Sequence, residues 1–95
     1  MARTGEWGVR LYLFEEDGTT KARVVLDTGT TSLTGHGTAE RSPEDVDVPE
    51  IGDELAAGRA MSDLAAQLKR IAYGDLEGVR ASAAPRRTSS AEQAG

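Results

Sequence analysis

Apolar and polar side chains alternate from Trp7 to Phe14, and this period of two predicts a β-strand. The alternation places four apolar residues on one face of that strand: Trp7, Val9, Leu11 and Leu13. The other face carries a mixture of aromatic and basic side chains. One face is therefore expected to be covered and the other to be open.

Asp17-Gly18 follows the first strand and favours a two-residue type I′ turn, because glycine takes a positive φ at little cost. A hairpin centred there brings apolar partners together on one face, as in the predicted pair of Leu11 with Val24. Aromatic residues and cations alternate on the opposite face. The turn and the apolar pattern therefore predict the same hairpin.

A second hairpin is predicted by Gly29, which can take the first central position of a type II′ turn. Its register sets Leu33 opposite Leu26 and places Gly35 and Gly37 on the covered face. Glycines at those positions would let a helix approach the sheet closely. Because both turns select the same apolar face, we predict a three-stranded antiparallel meander.

From Ile51 to Val79 the apolar residues recur at spacings of three and four, which predicts an amphipathic helix that begins at Pro49. The apolar stripe shifts by about a quarter turn at Gly58, so a bend or break is expected there. Ser42-Pro43 predicts one short helical turn before it. The predicted fold class is α+β: the meander, then a C-terminal long helix packed on one face.

The chain is predicted to hold a single α+β domain over residues 6–80, between a flexible N-terminus (1–5) and a small, polar, disordered tail (81–95). The predicted core consists of apolar residues from all three strands and the helix: Trp7, Val9, Leu11, Leu13, Val24, Leu26, Leu33, Ile51, Leu55, Leu64, Leu68 and Ile71.

The length and composition of the chain exclude several classes of protein. Ninety-five residues are too few for a multidomain enzyme, and the absence of cysteine excludes disulfides, thiolate metal sites and cysteine nucleophiles. No apolar run resembles a signal peptide or a membrane span, so we expect a cytoplasmic protein without membrane contact. Segment 40–54 contains seven acidic residues and one basic residue, a net charge of −6. The whole chain has a net charge of −5, so the remaining residues sum to +1.

The sequence offers no catalytic, cofactor or metal residue. The acidic segment lacks the glycine and the final glutamate of a calcium loop started at Asp45, and His36 is the only histidine. The glycine-rich stretch 29–37 lacks the Gly-Lys-Ser/Thr ending of a phosphate loop and lies in a hairpin. We therefore expect neither metal nor cofactor, and we expect the protein not to be an enzyme.

The most suggestive surface is the open face of the sheet, which we call the basic–aromatic face. It is predicted to contain Arg10, Tyr12, Phe14, Lys21, Arg23 and His36. Such a face can stack single-stranded nucleic acid, or it can consist merely of cross-strand pairs on a half-wet sheet. A third possibility is that this face, or an exposed edge of the sheet, forms a homodimer contact. A homodimer or another protein partner is the preferred interpretation, with nucleic-acid binding as the alternative.

The segments 34–39, 46–57 and 59–65, with the run Pro49-Glu50-Ile51-Gly52-Asp53-Glu54-Leu55, resemble a family of small actinobacterial proteins of unknown function. The resemblance covers roughly residues 7–79. It implies a fold similar to the double-stranded-RNA-binding domain, three antiparallel strands with a helix across one face. It does not imply RNA binding, because the helix start carries acids where RNA-binding members present bases, and double-stranded RNA is an unlikely partner.

Overall fold

The computed structural model describes residues 2–42 and 48–83. Three strands, β1 (Gly8–Glu16), β2 (Thr19–Asp27) and β3 (Ser32–Glu40), form one antiparallel sheet in the order β1-β2-β3. A single helix, α1 (Pro49–Ala83), follows. The predicted α+β fold class is confirmed. The turn predicted at Ser42-Pro43 falls largely outside the described residues, as does the tail beyond residue 83.

Both hairpins have the predicted register. Glu16 pairs with Thr19, and Asp17 and Gly18 have φ of 55° and 80°, the two positive values that a type I′ turn requires. In the second hairpin Gly29 has φ of 93° and Leu26 pairs with Leu33. The alternation of side chains and the turn residues therefore select the same pairing.

The helix lies against the sheet at Gly35 and Gly37, as their placement on the covered face predicts. A Cβ atom on Gly35 would overlap the carbonyl oxygen of Ala60, and one on Gly37 would overlap that of Ala56. Small residues on both elements thus let the two backbones touch. Because both glycines belong to β3, this contact fixes α1 above β3 and β2.

The buried core is smaller than predicted. It consists of Ala22, Val24, Leu26, Ala39, Ala56, Ala60 and Leu64, with Leu33 and Leu68 partly buried against it. Seven predicted core residues are instead exposed: Trp7, Val9, Leu11, Leu13, Ile51, Leu55 and Ile71. The prediction was wrong for β1 because one helix covers about two strands, and α1 covers the other two.

Ile51 and Leu55 are exposed for a different reason. Both line a cavity of about 300 Å³ between the β1–β2 turn and the first turns of α1, together with Thr20 of β2. Here α1 begins beside the end of β3, and the apolar side chains face the cavity instead of the sheet.

The helix is continuous through Gly58, so the break predicted there does not occur. Ala56 and Ala60, on either side of Gly58, are fully buried against the sheet, and this packing offsets the helix-weakening effect of glycine. The helix also extends to Ala83, three residues past the predicted domain boundary. At 1.5 Å per residue its 35 residues span about 52 Å, against about 30 Å for a nine-residue strand. Residues 69–83, which we call the overhang, therefore extend beyond the sheet.

Candidate interaction surface

The outer edge of β3 is closed by side chains of α1. The backbone N–H of His36 donates to Asp63 Oδ2 at 2.9 Å, Arg59 Nη1 donates to the Thr38 carbonyl at 2.7 Å, and Gln67 Nε2 donates to the Thr34 carbonyl at 2.7 Å. We call Arg59, Asp63 and Gln67 the edge clamp. Backbone groups that would otherwise pair with another strand are thereby satisfied within the chain.

The edge clamp can form because the spacing of its side chains along the helix matches the spacing of the free backbone groups along the strand. Its residues are spaced by four along α1, a rise of about 6 Å, while their acceptors and donor are spaced by two along β3, a rise of about 6.6 Å. Each polar side chain therefore meets the next free backbone group in turn. Of the two sheet edges, only that of β1 remains without such a clamp among the described residues.

The backbone groups on the free edge of β1 can be assigned from the turn. In a two-residue hairpin the residues that flank the turn, Glu16 and Thr19, are hydrogen-bonded to each other, and every second pair after them is also hydrogen-bonded. The intervening residues Val9, Leu11 and Leu13 therefore direct their N–H and C=O groups outward. The edge of β1 is open to another strand.

The side chains of these three residues are apolar and lie on the helix side of the sheet. We call Val9, Leu11 and Leu13 the inner row; all three are exposed, and Leu13 retains 45% of its accessible surface. All nine residues of β1 are exposed, whereas β2 alternates buried and exposed positions. The inner row is therefore an apolar surface that no part of residues 2–42 or 48–83 covers.

Helical geometry places a further apolar side chain beside the inner row. Arg59 and Met61 lie about 100° to either side of Ala60, which contacts the sheet. Arg59 bonds to the edge of β3, so Met61 lies on the flank that faces β1. Met61 is exposed too. Met61 and the inner row thus border the same exposed apolar surface on the helix side of β1.

The structure brings the predicted basic–aromatic face together on the opposite side of the sheet. Tyr12, Arg23 and His36 lie side by side across the three strands, and Phe14 pairs with Lys21 in the next row. The guanidinium carbon of Arg23 lies 4.3 Å from the centre of the Tyr12 ring, a cation–π contact. Phe14 is 61% exposed. Arg10 lies on the same face, opposite Val25.

The acidic side chains and His36 do not form a metal-binding cluster within residues 2–42 and 48–83. No group of three histidine, aspartate or glutamate side chains in these ranges is arranged to hold a metal ion. The salt bridge from Arg80 to Glu77, at 3.9 Å, joins two exposed side chains on the same helix. No helix in this part of the chain has the length and apolarity to cross a bilayer.

Sequence reasoning missed the edge clamp. Its signal is a polar triplet, Arg59, Asp63 and Gln67, spaced by four and adjacent to the small residues Ala56 and Ala60. Small residues mark the line of closest contact with the sheet, so the polar line next to it must reach a sheet edge. Because the edge clamp was not predicted, the sequence did not indicate which edge of the sheet is free.

The comparisons with known proteins agree with this architecture. Residues 5–85 match the model of a family described as Rv2632c-like. An uncharacterized protein of Mycobacterium bovis, Mb1767, is 40% identical over 73 residues, 77% of this chain and 78% of the relative. Rv2632c of Mycobacterium tuberculosis is 43% identical over 63 residues, 66% of this chain and 68% of the relative. The crystal structure of Rv2632c superimposes with a TM-score of 0.76 at 35% identity, covering 82% of this chain and 93% of that one.

Proposed function

The chain belongs to the Rv2632c-like family, and we propose that it is a non-enzymatic interaction module that binds protein through the β1 side of its sheet. The observation that carries this proposal is the asymmetry between the two edges. The edge of β3 is sealed by three side chains, whereas β1 presents outward backbone groups and an uncovered inner row. We place this interaction in the cytoplasm.

Two general physical arguments support a protein partner. An open strand edge is the usual template for strand addition, and natural sheets protect edges that are not meant to pair. Burying the inner row also contributes affinity, since each fully covered leucine or valine is worth about 1.5–3 kcal/mol. β1 thus combines the two features that protein-binding strands use, main-chain pairing groups and apolar side chains.

A pair of neighbouring residues tests the proposal. Leu13 and Phe14 are adjacent on β1, are both exposed, and lie on opposite faces of the sheet. We expect the mass of the parent in sedimentation equilibrium to increase with concentration, and Leu13→Glu to abolish that increase, because it puts a charge in the inner row. Phe14→Glu carries the same charge on the basic–aromatic face and should leave that mass unchanged.

Both variants should first be compared with the parent by circular dichroism melting, because a misfolded variant would report nothing about docking. If the parent stays a monomer up to millimolar concentration and its inner row remains accessible in the presence of cytoplasmic proteins from its source, the proposal is wrong. If Phe14→Glu abolishes association and Leu13→Glu does not, the docking face is the opposite one.

The contact between Arg23 and Tyr12 favours a second candidate, binding of single-stranded nucleic acid on the basic–aromatic face. Exposed aromatic rings and cations on a sheet can stack bases and neutralise phosphates. This candidate predicts that a fluorescent oligonucleotide binds at low salt, that affinity falls steeply with added salt, and that Phe14→Glu weakens binding while Leu13→Glu does not. Absence of an anisotropy change at low salt would exclude it.

A further inference from the structure

An apolar stripe runs along one flank of α1 and continues onto the overhang, where its side chains are exposed. Met61, Ala65, Leu68, Ala72, Leu76 and Val79 follow one another at spacings of four and three, which places them on this flank. Met61 and Leu68 border the sheet, whereas Leu76 and Val79 lie beyond it and are 44% and 63% exposed. A stripe with this spacing is typical of a helix that packs against another element.

The overhang and the uncovered part of the sheet have matching dimensions. Residues 70–83 rise about 20 Å along the helix axis, and the distance along β1 from Trp7 to Leu13 is also about 20 Å. α1 packs over β2 and β3, so its width does not cover β1. Each copy of the chain therefore has an exposed apolar helix segment, the overhang, and an exposed apolar strand face, the inner row.

The two surfaces also match in their repeats. Ala72, Leu76 and Val79 advance by about 4.5–6 Å per step, comparable to the step of about 6.6 Å between successive residues of the inner row. The same match between helix and strand already holds within the chain, where Ala56 and Ala60 pack on Gly37 and Gly35. The overhang can thus cover Val9, Leu11 and Leu13 one for one.

We propose that the partner of the β1 side is a second copy of this chain, and that the two copies exchange their overhangs reciprocally. The two helices lie antiparallel along the flank that starts at Met61, and the stripe of each covers the inner row of the other. This inference rests on the proposed function and names its partner. The contact is isologous, so a two-fold axis closes it between the two copies, while the backbone edge of β1 stays unpaired.

The area available is adequate for a stable dimer. Seven large apolar side chains take part in each copy: Trp7, Val9, Leu11, Leu13, Met61, Leu76 and Val79. Being roughly half exposed, they offer on the order of 600 Å² per copy before any backbone is counted, against about 800 Å² per partner in a typical specific interface. Residues 69–82 are all exposed in the described part of the chain, so their apolar side chains are available to this contact.

Disulfide trapping tests the arrangement directly, because the chain has no cysteine of its own. Leu13→Cys and Val79→Cys variants are prepared separately, mixed and oxidised. We expect a crosslink between the two different variants. The pair cannot close within one chain: Leu13 lies in the row of Gly37, next to Ala60, and Val79 is 19 residues, about 28 Å, further along α1. Phe14→Cys replaces Leu13→Cys as the matched control and should not crosslink.

Charge substitution in the overhang gives an independent readout. The double variant Leu76→Glu/Val79→Glu should convert the dimer to a monomer with an unchanged far-ultraviolet spectrum, because these side chains lie outside the monomer core. The control Tyr73→Glu/Ala81→Glu adds the same charge to residues of the overhang off the stripe, by about 100° and 180°, and should remain dimeric.

The outcomes separate the two proposals. If the dimer survives Leu76→Glu/Val79→Glu, or if Leu11→Cys crosslinks to itself while Leu13→Cys and Val79→Cys do not crosslink, the copies pair through their β1 edges and the overhang exchange is wrong. If the chain binds a different protein through the inner row and never itself, the exchange is wrong and the proposed function stands. If nothing binds the inner row, both fail.

Discussion

The backbone N–H of His36 donates to the carboxylate of Asp63, 27 residues away, at 2.9 Å. This bond lies at the middle of the edge clamp, between the bonds of Arg59 and Gln67 to the flanking carbonyls. A helix packed on a sheet usually covers only its face. Here side chains of α1 also bond to backbone groups on the outer edge of β3. The consequence is an asymmetry between the two edges: the backbone groups of β3 are bonded to α1, whereas those on the outer edge of β1 have no such clamp among the described residues.

Removing the central member of the edge clamp should weaken the fold and expose the edge of β3. We expect Asp63→Ala to lower the free energy of unfolding by about 1–2 kcal/mol, because a charged acceptor of a backbone hydrogen bond is lost at a solvent-accessible edge. Asp63→Asn keeps an acceptor oxygen and should cost less. Urea unfolding measures both; equal losses would show that the hydrogen bond to His36 contributes nothing.

The close approach of α1 to β3 makes Gly37 intolerant of any side chain. We expect Gly37→Ala to cost more than about 3 kcal/mol or to prevent folding, because its methyl group would overlap the backbone of Ala56 and Ala60, which cannot rotate away. Gly8→Ala is the matched control: it lies on β1 with no atom near its would-be methyl group. A stability loss for Gly37→Ala no larger than that for Gly8→Ala would contradict the described helix position.

The hairpins could be predicted from sequence because their determinants are local. Asp17-Gly18 fixes one register, Gly29 fixes the other, and both agree with the alternation of apolar side chains, so Val24 falls between Leu11 and Gly35 as expected. The position of the helix could not be predicted from periodicity, because the most apolar strand face, Val9, Leu11 and Leu13 on β1, is not the one that the helix covers. It depends on backbone contact at two glycines and on the edge clamp, both of which are long-range.

The candidate site shows the same limit. The basic–aromatic face follows from the register alone, and the structure places its members together as predicted. The inner row was predicted to be core because the pattern of Val9, Leu11 and Leu13 is that of a buried strand. Such a pattern indicates that a face is covered, but it does not say whether the cover comes from the same chain or from another one.

Gly58 offers a stabilising substitution. It lies in the interior of α1, and a Cβ atom there would meet nothing within 4 Å. We expect Gly58→Ala to raise the free energy of unfolding by about 1 kcal/mol, since alanine loses less backbone entropy than glycine on entering a helix. Chemical denaturation of the two proteins at equal concentration checks this. A decrease would mean that the methyl group meets a partner, and the face of α1 that carries Gly58 would then belong to an interface.

Amide exchange distinguishes the two ways in which copies of the chain can use β1. In the overhang exchange the N–H groups of Leu11 and Leu13 still point to an unpaired edge, so they should exchange rapidly at every protein concentration. In edge-to-edge pairing the same two amides would become protected as the dimer forms. Tyr12 lies between them and bonds to β2 in either case, which makes it an internal reference in the same spectrum. Protection of Leu11 and Leu13 that rises with concentration, while Leu76 stays solvated, would therefore overturn the exchange and retain β1 as the docking strand.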